Sequence, residues 1–189
     1  DFSVVLNGEN SITNTDLSKD KILGNGIVAR ACNLTIKGTG ELDISASYRG
    51  VYMYYAHGKT LTIEGGKINI VPTANDTIEY HGIHSLYGSV VIKGNADITI
   101  DMGTHKVTNN SGIFIYPPSG SVVTNPTLTI TDTAKVKICG PNQYGIYAQA
   151  CNTTIDGNAD VSILIEHDGG TNTALYGVYT NKSTLTIED

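Results

Sequence analysis

One repeated unit runs the length of this chain, and it restricts the fold more than any other feature. Each copy opens on a Gly-(Ile/Val) pair: Gly26-Ile27, Gly50-Val51, Gly82-Ile83, Gly112-Ile113, Gly145-Ile146 and Gly177-Val178, at intervals of 24, 32, 30, 33 and 32 residues. A second run follows, reading Leu34-Thr35-Ile36, Leu61-Thr62-Ile63, Val90-Val91-Ile92, Leu128-Thr129-Ile130, Thr153-Thr154-Ile155 and Leu185-Thr186-Ile187. A third carries Leu42 and Ile44, Ile68 and Ile70, Ile98 and Ile100, Val136 and Ile138, and Val161 and Ile163. Second and third runs lie 8, 7, 8, 8 and 8 residues apart, so one short turn joins them throughout while the other two corners absorb changes in length.

That short turn holds Gly8, Gly38, Gly65, Gly94 and Gly157, with Asp132 in the remaining copy. Glycine adopts positive φ without steric cost, and Asp is among the few residues that tolerate it. Within each run apolar and polar residues alternate with period 2, the pattern of half-buried strands, and no stretch has helical periodicity. Three short strands per repeat of about 30 residues predict an all-β fold, a right-handed single-stranded parallel β-helix. The solenoid has about six rungs, and residues 1–189 form a single domain. A β-propeller fits worse, since its blades need four strands and about 40 to 45 residues.

Charge narrows the choice of partner. Twelve basic against eighteen acidic residues give a net charge of −6, and the charges are scattered. Nucleic acid and anionic membrane surfaces are thereby disfavoured as partners. No apolar run approaches the roughly 20 residues that cross a bilayer, so no membrane insertion is expected. Cys32, Cys139 and Cys151 match no zinc or redox spacing, and Cys32 and Cys151 sit four repeats apart, about 19 Å at 4.8 Å per rung, too far for a disulfide.

The segment Leu-Thr-Ile-Lys-Gly-Thr-Gly-Glu-Leu-Asp-Ile at 34–44, its echo from Leu61 to Ile70, and the recurring Gly-Ile resemble the β-helical carbohydrate-binding-domain proteins of Gram-positive anaerobe surfaces. The likeness spans nearly the whole chain, but its motifs specify turns and core, which pectate-lyase-like enzymes and autotransporter adhesins also need. The resemblance implies a secreted or cell-surface bacterial protein that binds plant or acidic polysaccharide, sometimes with calcium. In such relatives paired acidic residues often precede the Gly-Ile; here those positions are Asn25, Arg49, His81, Ser111, Tyr144 and Tyr176, so the calcium site is not carried over and no cofactor is expected.

Outward positions on the first strand, two residues after each glycine, are Val28, Tyr52, His84, Phe114, Tyr147 and Tyr179, and the next outward set includes Arg30, Tyr54, Leu86, Tyr116, Gln149 and Asn181. Stacked rungs would line up Tyr52, His84, Phe114, Tyr147 and Tyr179 as an aromatic stripe, with Tyr54 and Tyr116 beside it. Aromatic rings with polar tips suit the apolar faces and hydroxyls of sugars. The alternative use of such rings is to stabilise the ladder itself. The leading expectation is thus a non-catalytic carbohydrate-binding or adhesive module whose partner is a polysaccharide or a host or cell-surface glycan.

Two other readings stay open. Loops after the third strand bring Asp76, Glu79, His81, Asp101, His105, Glu166, His167 and Asp168 to one corner, where a polysaccharide lyase or glycoside hydrolase would find acid and base, although their spacing matches no metal motif. Arg30 and Arg49, the chain's two arginines, fall in successive repeats and read as a solvated pair. A structural spacer that binds nothing is the third reading. The chain starts inside a repeat and stops just after a second strand, without a capping helix. It is therefore expected to be a fragment of a longer secreted or surface array, or to associate end to end.

Overall fold

The structure is a computed structural model in which residues 1–16, 23–73, 79–103, 109–117, 125–140, 143–166 and 175–188 are described. The described residues form nineteen strands in three parallel sheets and no helix. The first strands of the repeats make one six-stranded sheet: β3 (Asn25–Arg30), β6 (Arg49–Tyr54), β9 (His81–Ser85), β12 (Ser111–Ile115), β15 (Tyr144–Gln149) and β18 (Tyr176–Asn181). The second strands make a seven-stranded sheet: β1 (Phe2–Leu6), β4 (Leu34–Gly38), β7 (Thr60–Glu64), β10 (Ser89–Ile92), β13 (Thr127–Ile130), β16 (Asn152–Ile155) and β19 (Leu185–Ile187). The third strands make another sheet of six: β2 (Glu9–Asn14), β5 (Glu41–Ala46), β8 (Lys67–Pro72), β11 (Asp97–Asp101), β14 (Lys135–Gly140) and β17 (Asp160–Ile165). Every strand pairs with its counterpart one repeat away, which is a three-faced parallel β-helix.

Register keeps like on like. Leu34 pairs with Leu61, Ile36 with Ile63, Ile44 with Ile70, and Ile83 with Ile113. Columns of identical aliphatic side chains thus fill the interior, and Ile36, Ile63, Ile92 and Ile130 are each fully buried. Burying one such side chain stabilises the fold by about 1.5–3 kcal/mol. All six residues of the short turn have positive φ, from Asp132 at 62° to Gly65 at 125°. A second left-handed corner, silent in the sequence, closes the first strand at Ala31, Tyr55, Tyr87, Ala150 and Lys182. No glycine marks it, so each of these residues carries roughly 1–2 kcal/mol of backbone strain.

The Gly-(Ile/Val) step has a different cause. A Cβ on Gly112 would lie 2.5 Å from Ile138 Cγ2 and 2.8 Å from the Gly145 carbonyl oxygen, and Gly50, Gly82 and Gly145 are as crowded. Both the glycine and the residue after it face inward, so the chain turns two successive positions to the core. The residue before the glycine is thereby thrown to the outer face.

Gly112→Ala should therefore cost about 1–3 kcal/mol of stability through overpacking. Gly177→Ala, with nothing within 4 Å of the added methyl, should be nearly neutral. Urea unfolding of the two variants beside the parent measures the difference; equal midpoints would refute the crowding account.

Candidate functional site

The aromatic stripe exists in the expected order. Val28 pairs with Tyr52, Tyr52 with His84, His84 with Phe114, Phe114 with Tyr147 and Tyr147 with Tyr179. Successive ring centroids from Tyr52 to Tyr179 lie 5.0, 4.8, 4.7 and 5.0 Å apart, the rung spacing itself. Tyr54 lies beside Tyr52 at 5.2 Å and Tyr116 beside Phe114 at 6.1 Å.

Ring orientation divides the stripe into two parts. From Phe114 through Tyr147 to Tyr179 the rings are nearly parallel, at 13° and 17°, so their faces cover each other and their edges and hydroxyls meet solvent. Tyr147 donates its hydroxyl to Gln149 Oε1 at 2.6 Å, and Asn181 donates to the Tyr179 hydroxyl at 3.4 Å. At the other end the stack breaks: Tyr52 and His84 are inclined at 48°, His84 and Phe114 at 69°. A cleft of about 400 Å³ opens there. Its walls include Tyr52, Tyr54, His84, Phe114 and Tyr116, so five of the seven predicted residues meet in one place. Tyr147 and Tyr179 are not part of it; they continue the face away from it. Tyr52 and His84 are only 4% exposed and form the floor, while Tyr54, Phe114 and Tyr116 are half-buried.

The row before the glycines completes the cleft. Arg49 pairs with His81 and His81 with Ser111, on the same outer face as the stripe. Arg49 is no solvated partner of Arg30. It is 5% exposed, with its guanidinium carbon 3.7 Å from the Tyr48 ring centroid and 4.2 Å from that of Tyr52. Its Nε donates to His84 Nδ1. That nitrogen accepts, so the neutral ring is assigned its proton on Nε2. Arg30 stays exposed, 5.6 Å from the Tyr54 ring.

His81 is 1% exposed, stacks on Phe114 at 4.3 Å and 23°, and holds Glu79 Oε1 at 3.1 Å from its Nε2. Of the loop residues expected at one corner, Glu79 and His81 thus enter the cleft. Asp101 instead accepts from the Gly103 amide at 2.8 Å, and Asp76, His105, His167 and Asp168 lie outside the described residues. Among the described residues no group of three or more His, Cys, Asp and Glu is placed to hold a metal ion. Cys32, Cys139 and Cys151 are free thiols.

Burial sets the ionisation of the floor. It lowers the Arg49 guanidinium from its usual range, although nearby Tyr48, Tyr52 and Glu79 act the other way. It raises the Tyr52 hydroxyl to about 12, against a smaller opposing pull from Arg49. Burial also raises Tyr144 and Tyr147. Tyr80, fully buried in the core behind His81, is raised further still.

Comparison against protein-family models, curated proteins and solved structures finds no match. The face is therefore read from its own chemistry.

A hydroxyl whose pKa is raised on folding contributes stability that is complete below its unfolded value and is lost as pH rises through the folded one. For Tyr52 that window runs from 10.0 to about 12. Absorbance titration should show Tyr52 and Tyr80 ionising after the exposed tyrosines, with Tyr80 released only on alkaline unfolding. Simultaneous ionisation of all eleven near 10.0 in the folded protein would contradict the buried floor.

Proposed function

We propose that this chain is a non-catalytic glycan-binding or adhesive β-helix module of a secreted or cell-surface bacterial protein. Its partner is a polysaccharide or a cell-surface glycan. The observation that carries this reading is the cleft of about 400 Å³ on the aromatic face. Its volume falls in the range of small-ligand sites, and it combines aromatic walls with a few convergent polar groups. The resemblance of the repeat to carbohydrate-binding β-helices supports the same class, as does the net charge of −6, which disfavours nucleic acid.

The ring orientations refine how a sugar would be held. Faces committed to neighbouring rings cannot also lie on a sugar, so the Phe114–Tyr147–Tyr179 stretch would meet a ligand with edges, hydroxyls and the amides of Gln149 and Asn181. At the break, inclined rings leave room for a sugar to enter against Tyr54 and Tyr116, over the floor made by Tyr52 and His84. The cleft is the principal contact and the stacked stretch its extension.

A second reading, a lyase that eliminates across a uronic acid residue, is favoured by the joint presence of Arg49, His81, His84 and Glu79. An elimination needs a base at the carbon beside the carboxylate and a positive group to stabilise the charge that develops there. Appearance of an absorbing unsaturated sugar on incubation with polyuronate would establish it.

The module reading predicts binding of at least one oligosaccharide in a glycan screen. Tyr54→Ala should weaken that binding about tenfold, since loss of one aromatic contact is worth roughly 1–1.5 kcal/mol. Thr129→Ala, on the opposite sheet, should leave it unchanged. Titration calorimetry on both variants, each with an unchanged circular dichroism spectrum, decides; equal losses would remove the aromatic face from recognition.

A further inference from the structure

We propose that the outer face of the third-strand sheet is a self-docking surface, on which a second copy of this chain sits face to face with its solenoid reversed. The aromatic face belongs to a different sheet, so this contact leaves it uncovered and does not depend on the glycan-binding reading.

Register turns one outward position of this sheet into a column of charge. Glu9 pairs with Glu41, Glu41 with Lys67, Lys67 with Asp97, Asp97 with Lys135 and Lys135 with Asp160. From Glu41 onward the sign alternates at every rung. Lys67, Asp97, Lys135 and Asp160 are all exposed. Among the described residues the one ion pair of this face joins Lys67 to Glu41 at 2.7 Å, and Asp97, Lys135 and Asp160 have none.

An alternating column is complementary to its own reverse, and that property selects the partner. Turning a second copy by half a revolution about the strand direction reverses the order of rungs and lays each column on itself. With the two-fold axis between the rungs of β11 and β14, Asp97 meets the second copy's Lys135 and Lys67 meets the second copy's Asp160, each contact occurring twice. Sliding the second copy by one rung sets Asp97 on Asp97 or Lys135 on Lys135. Sliding it by two opposes Glu9 to Asp160, or leaves only Lys135 and Asp160 in contact. Like charges opposed across an interface suppress the wrong registers, so one arrangement remains.

A second column agrees with that arrangement. Val71, Asp101, Cys139 and Leu164 each follow a register-matched isoleucine, Ile70, Ile100, Ile138 and Ile163. Val71 is 36% and Leu164 55% exposed, the large apolar side chains that this sheet leaves to solvent among the described residues. In the reversed copy Val71 falls on Leu164, so the two cover each other. A cavity of about 210 Å³ with Asp97, Lys135 and Asp160 in its walls lies at the axis and gives opposing side chains room to interdigitate. Four rungs at about 4.8 Å and five residues at about 3.3 Å bound roughly 300 Å² in projection on each copy, the scale of a weak, reversible dimer. Exposed ion pairs add little strength one by one; here they set orientation.

Sedimentation equilibrium of the folded protein at up to about 1 mM tests the contact. The parent should dimerise with a dissociation constant of about 0.1–1 mM, weakened at least threefold when salt is raised to about 0.5 M. Lys135→Glu and Asp97→Lys should each sediment as monomers, because each opposes like charges twice. An equimolar mixture of the two variants should dimerise within about threefold of the parent, since every opposed pair is again of unlike sign. Damage to the fold cannot produce that recovery. If either variant does not fold, carbodiimide coupling of mixed isotopically light and heavy parent decides. An Asp97–Lys135 link joining a light chain to a heavy one supports the dimer, and its absence overturns it. A parent that stays monomeric throughout, variants that dimerise as the parent does, or a mixture without recovery also overturns it. So does growth past the dimer that both variants leave unchanged, which is end-to-end stacking.

Discussion

Parallel backbone pairing, rung upon rung and in register, is the constraint on which the rest of this structure depends. It places each residue directly above its counterpart one repeat away, so any residue type that recurs at one position becomes a column through the molecule. Isoleucine at inward positions becomes a core, and Leu34 on Leu61 on Val90 on Leu128 is one of its columns. Aromatic residues at an outward position become a ladder whose ring spacing, 4.7 to 5.0 Å, is set by the backbone and not by the rings. The glycine column lets the rungs approach this closely at the corner, since a side chain there would meet both an isoleucine and the next glycine's carbonyl.

The cleft arises where the side chains stop following the backbone period. Phenyl and phenol rings stack face to face along the solenoid, but the smaller imidazole of His84 cannot fill the width of the column, and it is turned to accept from Arg49. The inclination of Tyr52 and Phe114 around it opens the space. A change in ring size, beside one buried cation, thus accompanies the passage from a continuous stack to a stack with a cleft at its end. The same anchoring explains why Arg49 tolerates burial: π-faces and an imidazole lone pair replace part of its lost hydration.

Much of the fold was legible because its signals are strictly periodic. The three runs per repeat, the fixed turn with Asp132 standing in for glycine, and the order of Tyr52, His84, Phe114, Tyr147 and Tyr179 all follow from counting. Counting alternation outward from each glycine failed on its other side. There the glycine and its successor both turn inward, so Arg49 and His81 share the face of Tyr52 instead of lying in a solvated corner. The crowded glycine column was the signal that would have revealed this, because a strand that needs glycine at one inward position has broken its alternation. Tyr48 and Glu79 come from segments beside the strands, whose paths no period fixes. Ring inclination is also beyond the sequence, since it depends on which neighbour each side chain bonds.

The account's central claim is that recognition occurs at the break in the aromatic ladder and spreads along that face alone. Side-chain NMR of the aromatic residues during titration with an oligosaccharide that binds in the glycan screen tests it directly. The account predicts the largest shifts at Tyr52, His84 and Tyr116, smaller ones at Tyr147 and Tyr179, and none at Tyr80 in the core. Shifts confined to residues away from that face, or saturable binding that leaves His84 unmoved, would contradict it.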